Sequence, residues 1–327
     1  MSDSSPLLSI IIPFFNNEDF IVPCLESLFH QIDDDIEVVI IDDGSTDNSA
    51  NLVQHFLAKI SHTNVKLISQ NNRGIGFTRN VGLDNSRGEY ITFLDGDDLL
   101  SRNYMKVLRP HLASGEFDLI DFNYERFTLQ PSESSVCENV PCVQYNFEQQ
   151  GLNCMETLFT KSMWHLWNRI YRRSLFDNER FEIGRRYEDV ILTPFLYFKT
   201  QKIARIDQIL YFYRDNHHGI TRNIKEKDIE DMLFAMKKMI SVAQSQPENT
   251  DLRGLAARMI ANCFSEVKSM SKAVYGYYFY KKETVKVFRE AALLCTGTAV
   301  PGKKIGQMRY PQIDTLFSRA RLRIKKR

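Results

Sequence analysis

Through the first 125 residues, short apolar runs bounded by polar turns alternate with stretches whose apolar positions fall three and four apart. The runs Leu8 to Pro13, Ile36 to Asp42, Val65 to Ser69 and Tyr90 to Leu94 predict buried strands. Between them, Asp19 to Gln31, Ser45 to Ile60 and Ile75 to Asn85 carry helical spacing, as in Ile21, Leu25 and Leu28. Strand-then-helix repetition predicts an α/β fold built on a doubly wound, mostly parallel sheet. Ligands of such sheets sit beyond the carboxyl ends of the strands. Three of the four predicted strands run there into polar sequence: Pro13-Phe-Phe-Asn-Asn, Asp42-Asp-Gly-Ser-Thr-Asp and Asp95-Gly-Asp-Asp.

Periodicity fades over 125–150, where Pro131, Ser132, Ser134, Ser135 and Pro141 collect, so a long loop or irregular insertion is expected. A helical pattern resumes near Cys154, Val190 to Phe198 reads as a buried helix, and Lys202 to Tyr213 alternates like a strand. From Glu226 to about Leu294 the pattern is a set of amphipathic helices whose Met, Phe and Tyr pack on one another. Pro301 and Gly302 close that section and a tail follows.

Charge changes this picture only when the chain is divided. The whole carries 42 Lys+Arg against 41 Asp+Glu, a net of +1. Residues 1–160, however, hold 9 basic and 24 acidic side chains, a net of −15, and residues 161–327 hold 33 and 17, a net of +16. Hydrophobic content of 43% with 25% charged residues excludes disordered and low-complexity classes. Six cysteines form no C-x-x-C pair, which points away from a zinc site or a disulfide framework and toward a reducing cytoplasm. No apolar run reaches 18 residues and the N-terminus has no basic leader, so work at a membrane is expected from its surface.

Asp95-Gly96-Asp97-Asp98 places three carboxylates within one turn of chain just outside a strand. Such crowding is unfavourable without a cation. A hard divalent ion that binds one or two carboxylates and fills its shell with water and phosphate oxygens suits the arrangement. The structural alternative is a solvated turn that caps the helix beginning near Arg102. In Asp42-Asp-Gly-Ser-Thr-Asp, Gly44 and a cap at Ser45 or Asp47 account for the turn but not for paired Asp42 and Asp43 ahead of it. A carboxylate there can accept the N3–H of a uracil ring.

Four motifs stand in order over about 90 residues: Leu8-Ser-Ile-Ile-Ile-Pro-Phe-Phe-Asn-Asn-Glu, Val39-Ile-Ile-Asp-Asp-Gly-Ser-Thr-Asp, Asn72-Arg-Gly-Ile-Gly-Phe-Thr-Arg-Asn-Val-Gly and Gly88-Glu-Tyr-Ile-Thr-Phe-Leu-Asp-Gly-Asp-Asp. With them the chain resembles the family 2 glycosyltransferases of the GT-A fold. The resemblance implies that Pro13 and Asp43 lie against uridine, that the Arg79 segment closes the nucleotide site, and that Asp95 and Asp97 hold ribose and a Mg²⁺ or Mn²⁺ ion. Gly74 and Gly76 lack a third glycine and follow the wrong strand for a dinucleotide fingerprint, and they serve equally as turn residues. Gly184-Arg-Arg-Tyr-Glu-Asp-Val matches the family's Glu-Asp motif, which implies Asp189 as general base beside Glu188 on the acceptor side. The alternative is a pair of acids favourable in a first helical turn.

Trp164-His-Leu-Trp-Asn-Arg-Ile-Tyr resembles an acceptor-side stretch of bacterial polysaccharide members, with Trp167 stacking on a sugar or serving as core. Tyr211-Phe-Tyr-Arg-Asp-Asn-His-His-Gly-Ile-Thr-Arg is similar to a segment near the diphosphate, making Arg214, His217 and Arg222 candidates to offset its charge. Gly219 stands there where relatives often have Ser. The implied organisation is a 1–215 transferase domain with a nucleotide-sugar half 1–125 and an acceptor half 150–215, a helical region 216–310 and a basic tail 311–327.

That tail packs six basic residues into its last eleven, among Phe317, Leu322 and Ile324. It is either a solvated tail or an anchor to anionic lipid, each basic residue near such a surface contributing about 1 kcal/mol. Nothing else in the chain reads bases, so nucleic acid is not an expected partner. The implied activity is inverting transfer of a hexose, glucose first with galactose and N-acetylglucosamine as alternatives, from a UDP-sugar to a hydroxyl of a lipopolysaccharide, O-antigen or capsule acceptor at the inner face of the cytoplasmic membrane. A nucleotidyltransferase would need a glycine- and lysine-rich loop where Pro13-Phe-Phe-Asn-Asn stands. A catalytically silent nucleotide-sugar-binding partner is the rival outside enzymes.

Overall fold

The computed structural model describes residues 5–132, 140–216 and 223–325. In chain order the strands are β1 (Leu8–Phe14), β2 (Ile36–Asp42), β3 (Val65–Ser69), β4 (Tyr90–Phe93), β5 (Leu99–Leu100), β6 (Leu119–Phe127), β7 (Cys142–Asn146), β8 (Arg169–Arg172) and β9 (Lys202–Arg214). The helices are α1 (Ile21–Phe29), α2 (Ser49–Leu57), α3 (Ile75–Asp84), α4 (Tyr104–Ala113), α5 (Phe147–Gln150), α6 (Glu156–Lys161), α7 (Glu188–Tyr197), α8 (Glu226–Ser245), α9 (Thr250–Tyr275), α10 (Lys282–Cys295), α11 (Gly302–Arg309) and α12 (Pro311–Lys325). They form two compact units: residues 1–148, 165–184 and 195–219, and residues 149–164, 185–194 and 220–327.

The first unit holds a mixed sheet in the order β3-β2-β1-β4-β8-β6-β9-β5, with β7 also on β9. The half β3-β2-β1-β4 is parallel, as the strand–helix repetition predicts. Beyond β4 the sheet turns mixed: β8 is antiparallel to β4 and β6, and β9 is parallel to β6 but antiparallel to β5 and β7. Both faces of β1 and β2 are buried, which is why those strands read as unbroken apolar runs rather than alternating ones. Ile10, Ile12, Val38 and Ile40 pack with Cys24, Leu25 and Leu28 of α1 and Tyr104, Met105 and Leu108 of α4. Each such large side chain contributes about 1.5–3 kcal/mol on burial.

At the other end of the strands, fully buried Glu37 accepts hydrogen bonds from Ser9 Oγ (2.6 Å), Arg87 N (2.7 Å) and Arg87 Nε (3.0 Å), with Lys66 Nζ at 3.2 Å. Burial acts to raise its pKa. The bonds from Ser9 and Arg87 and the Lys66 charge outweigh it and leave the carboxyl below its ordinary value.

The second unit is helical. α8 and α9 lie along one another, α10 packs on both and α6 packs on α9. Asn249 caps α9, its side chain accepting from Leu252 N at 3.0 Å.

Three expectations are corrected. β3 is half-buried because it forms the edge of the sheet, with a neighbour on one side only. The segment 125–150 is not merely a loop: β6 continues to Phe127 and β7 adds a strand to β9. Pro301 and Gly302 do not end the helices, since α11 and α12 follow. Proline at the first position of a helix gives up no hydrogen bond, and Pro311 occupies that position in α12.

Candidate active site

In the first unit, the polar sequences that end β1, β2 and β4 meet at the carboxyl edge of the sheet, as parallel pairing requires. Asp43 N donates to Phe14 O at 2.9 Å, which ties the end of β2 to the end of β1. Gly44 holds φ +77°, and a Cβ there would lie 2.7 Å from Asn72 N, so only glycine lets the 70–74 loop close over this turn. That loop hangs on Asp43. Its Oδ1 accepts from Gln70 Nε2 (2.7 Å) and Arg73 N (2.9 Å), and its Oδ2 from Gly74 N (2.9 Å). A carboxylate has about four acceptor sites, so one lone pair, on Oδ2, stays available. Asp42 turns to Ser45 N (2.8 Å) and braces the same turn. Pro13 lies buried at the end of β1, followed by exposed Phe15.

After β4 the three carboxylates separate in role. Asp95, partly exposed, takes a 2.8 Å ion pair from Arg79 of α3. The Arg79 guanidinium is buried between the rings of Phe93 and Phe181, 5.9 and 5.8 Å from their centroids. Gly96 lets this turn pass against β1, where a Cβ would stand 2.9 Å from Phe14 Cβ. Asp97 Oδ2 accepts from Asn216 Nδ2 at 3.1 Å. Asp98 points inward instead, bonded to Tyr211 Oη at 2.6 Å and Arg214 N at 2.7 Å. Burial, then the charges of Asp97 and Asp95, pushes the Asp98 carboxyl well up; burial and then Asp95 raise Asp97. Arg214 Nε donates to Asp97 O at 2.7 Å, and its guanidinium stacks over Phe20 and Phe127. β9 therefore delivers Tyr211 and Arg214, and the chain just after it Asn216, to the turn after β4.

The donor set fits a divalent ion. Asp95 and Asp97 are hard-oxygen carboxylates on one turn, and burial, then the Asp95 charge, raises Asp97. Among the described residues no group of three or more His, Cys, Asp or Glu side chains would hold a metal by itself. An ion here would complete its shell with water and phosphate oxygens, as Mg²⁺ commonly does.

Beside the turn stands an aromatic wall. Trp167 lies parallel to Tyr211 (4.5 Å between centroids), His165 (4.7 Å) and Tyr213 (5.3 Å), with Tyr124 edge-on at 4.7 Å. Only 6% of Trp167 is exposed, so of its two readings the core position is the one its ring occupies. Burial, then Arg169 and Arg126, holds the half-buried His165 down at about 4, neutral at ordinary pH.

The second unit carries the other predicted acids. Glu188 and Asp189 are the first two residues of α7, where the helix dipole favours a carboxylate, and Asp189 Oδ1 accepts from Val190 N at 2.8 Å. The segment before them is fixed by two fully buried aspartates of α8. Asp231 accepts from Arg185 Nη1 (2.8 Å) and Arg186 N (3.0 Å), and Asp228 accepts twice from Arg186 Nη1 (2.7 and 2.9 Å). Tyr187, between this clamp and Glu188, holds φ +61°, a conformation that a bulky residue keeps only when its surroundings enforce it.

Residues 9–185 match the family model "Glycosyl transferase family 2", more than half of the chain. The chain belongs to glycosyl transferase family 2. Among curated family relatives, Glycosyltransferase GlyA of Streptococcus pneumoniae is 28% identical over 72% of this chain and 34% of its own. Uncharacterized glycosyltransferase EpsJ of Bacillus subtilis is 30% identical over 66% of this chain and 63% of its own. The chain thus spans about a third of the first relative and just under two thirds of the second. In fold it is similar to S. aureus TarS 1-349, solved with UDP-GlcNAc, at TM-score 0.71 and 18% identity over 95% of this chain and 88% of that one. The GT-A expectation is met.

In this family member the structure groups Pro13, Asp43, Arg79, Asp95, Asp97 and Arg214 in the first unit and puts Glu188 and Asp189 in the second. His217, His218, Gly219 and Arg222 lie outside the described residues. Sequence reading passed over Tyr211, Asn216 and the inward role of Asp98. The one available signal was that Tyr211 and Asn216 lie in the Tyr211-Phe-Tyr-Arg-Asp-Asn segment quoted above; which turn they meet depends on pairing across more than 110 residues. It also passed over Asp228 and Asp231, charged residues in a helix whose pattern alone places them at the surface.

Proposed function

We propose that this glycosyltransferase moves a hexose from a UDP-sugar to a hydroxyl of a lipid-linked or lipopolysaccharide-type glycan, with inversion at the anomeric carbon. The observation that carries this reading is the turn after β4, where Asp95 and Asp97 crowd beside buried Arg79 and the Arg214 side chain. Two acids that repel one another, flanked by arginines, suit a diphosphate that arrives with a divalent ion and leaves with more negative charge. Asp95 and Asp97 would hold Mg²⁺ or Mn²⁺, and the bound ion would offset charge on the departing diphosphate.

The chain's own groups supply the rest. The free lone pair of Asp43 accepts the uracil N3–H while the 70–74 loop, held by the same carboxylate, borders the base. Pro13 lines the other side of the base. Arg214 meets the diphosphate from β9, and His217 would act there with it. Asp189, in the first turn of α7 where the helix dipole favours a carboxylate, takes the proton from the acceptor hydroxyl as that oxygen attacks the face opposite UDP. Glu188 contacts the acceptor, and Trp167 acts from behind by holding Tyr213 in the wall. One displacement on an α-linked donor gives a β-linked product with no covalent enzyme intermediate. Glucose is the first donor to try, with galactose and N-acetylglucosamine next.

UDP release measured over those three donors, with Mg²⁺, Mn²⁺ or EDTA, tests the reading. Release with one donor, abolished by EDTA and by Asp97→Asn, is expected. An undiminished rate in saturating EDTA removes the metal role, and a retained anomeric configuration by NMR removes the single displacement.

A further inference from the structure

α12 has two unlike faces. One face is fastened to the second unit: Pro311 is buried, Lys268 Nζ donates to Asp314 Oδ2 at 2.5 Å, Tyr278 N donates to Ser318 Oγ at 3.1 Å, and Arg319 Nη2 donates to Tyr277 Oη at 2.8 Å. The opposite face is apolar and open. Ile313 is 50% exposed, Leu316 68% and Phe317 66%, and exposed Ala320 continues the stripe at helical spacing; Tyr310 just ahead is 56% exposed. Four of the nine large apolar side chains exposed among the described residues therefore fall within positions 310–317. An apolar face held outward by three polar contacts on its back is not accounted for by the packing of the unit that carries it.

Charge identifies the occupant. Residues 303–327 contain nine basic residues and one acid, Asp314, and that acid is already engaged by Lys268. A second copy docked on this face would bring two such basic segments together. An anionic bilayer offers both what the stripe needs and what the charges need, an acyl boundary under a negatively charged headgroup layer. No helix among the described residues is long and apolar enough to cross a membrane, so the contact would be in the plane of the interface.

We infer that α12 is an in-plane membrane helix that seats Ile313, Leu316 and Phe317 at the headgroup–acyl boundary of an anionic bilayer while Lys303, Lys304, Arg309 and Arg319 bind its headgroups. This deepens the lipid-linked acceptor reading by naming the element that brings the enzyme to that surface. Its test needs neither donor nor acceptor: co-sedimentation of the full chain with phosphatidylcholine vesicles, with and without phosphatidylglycerol. Binding only to the phosphatidylglycerol vesicles, weakened by added salt, is expected. The double variant Leu316→Glu, Phe317→Glu should bind them at least about tenfold more weakly, since two exposed anchors are lost, with its urea midpoint little changed because both residues are mostly exposed.

Equal binding to both vesicles, binding to neither, or full retention by the double variant overturns the inference. So does self-association without lipid that the double variant abolishes, which would make the face a contact between copies. A chain that binds vesicles but releases no UDP leaves α12 as inferred and removes the transferase reading; active chain that ignores vesicles does the reverse.

Discussion

Asp231→Asn probes the clamp ahead of the proposed base. The carboxylate is fully buried and accepts from two donors, Arg185 Nη1 at 2.8 Å and Arg186 N at 3.0 Å. An amide keeps one acceptor oxygen and turns an NH₂ toward the other donor, so one of the two bonds is lost and replaced by a donor facing a donor. Hydrogen bonds to charged groups contribute about 1.5–3 kcal/mol, and breaking a buried ion pair costs about 3–5 kcal/mol. The Arg185 side chain is 32% exposed, so water recovers part of its solvation, and about 2 kcal/mol is the expected net loss. Tyr187 stores strain just past this clamp, so the loss should appear where Glu188 and Asp189 begin α7. At about 1.4 kcal/mol per factor of ten, kcat should fall roughly 10–30-fold while the donor KM stays within about twofold. Steady-state UDP release over a donor series, alongside urea unfolding, measures both. An unchanged kcat with a lowered urea midpoint refutes the positioning argument and leaves Asp231 purely structural. Asp189→Asn is the companion variant, expected to lower kcat about 10²–10⁴-fold; if it does not, the base assignment fails and not the clamp.

Three further outcomes follow from the same geometry. Asp97→Asn should abolish EDTA-sensitive UDP release yet leave the fold intact by circular dichroism, since it removes one of two repelling charges at that turn. Trp167→Ala should cost about 3–5 kcal/mol in urea unfolding, because it empties a stack of four rings, whereas Trp167→Phe should cost less than half of that; equal losses would mean that the wall is not packed as described. Glu37 has its carboxyl held below the ordinary value in the folded chain, so it contributes stability above the unfolded pKa of about 4.3 and loses it as pH falls through the folded value. Glu37→Gln should therefore be about 1–3 kcal/mol less stable at pH 7, with the gap closing below about pH 4; a gap that stays constant with pH would assign its effect to packing.

How much of this was legible beforehand differs by element. β1 to β4 and α1 to α3 were readable because each buries an apolar face whose period shows in a few residues, and because the turns between them carry their own chemistry, as at Asp42 to Asp47. β7 was not, since a five-residue strand paired only to β9 has no pattern apart from its partner. Pro301 and Gly302 read as the close of the helices, with a tail after them, because proline and glycine end a helix from inside; they can also begin one from its first turn. The D-x-D acids were visible as a crowd, but their division was not: whether a carboxylate accepts from Asn216 like Asp97 or from Tyr211 like Asp98 depends on where β9 and the residues after it lie.

The divided charge of the chain, −15 and +16 about residue 160, belongs to the sequence alone, as do the four strand-end motifs and the expectation of a GT-A fold. The strand–helix alternation follows from local patterns, in which a residue's period and its immediate neighbours decide the outcome, while the GT-A expectation rests on the resemblance that those motifs carry. Tertiary structure alone decided that Asp43 supports a loop thirty residues away, that Asp228 and Asp231 are buried partners of arginines rather than surface acids, and that α12 turns its apolar stripe outward. Each of these is a pairing between distant segments. An unpaired charge pays for burial so heavily that it goes inside only where a partner waits, and the partner's position is a property of the fold.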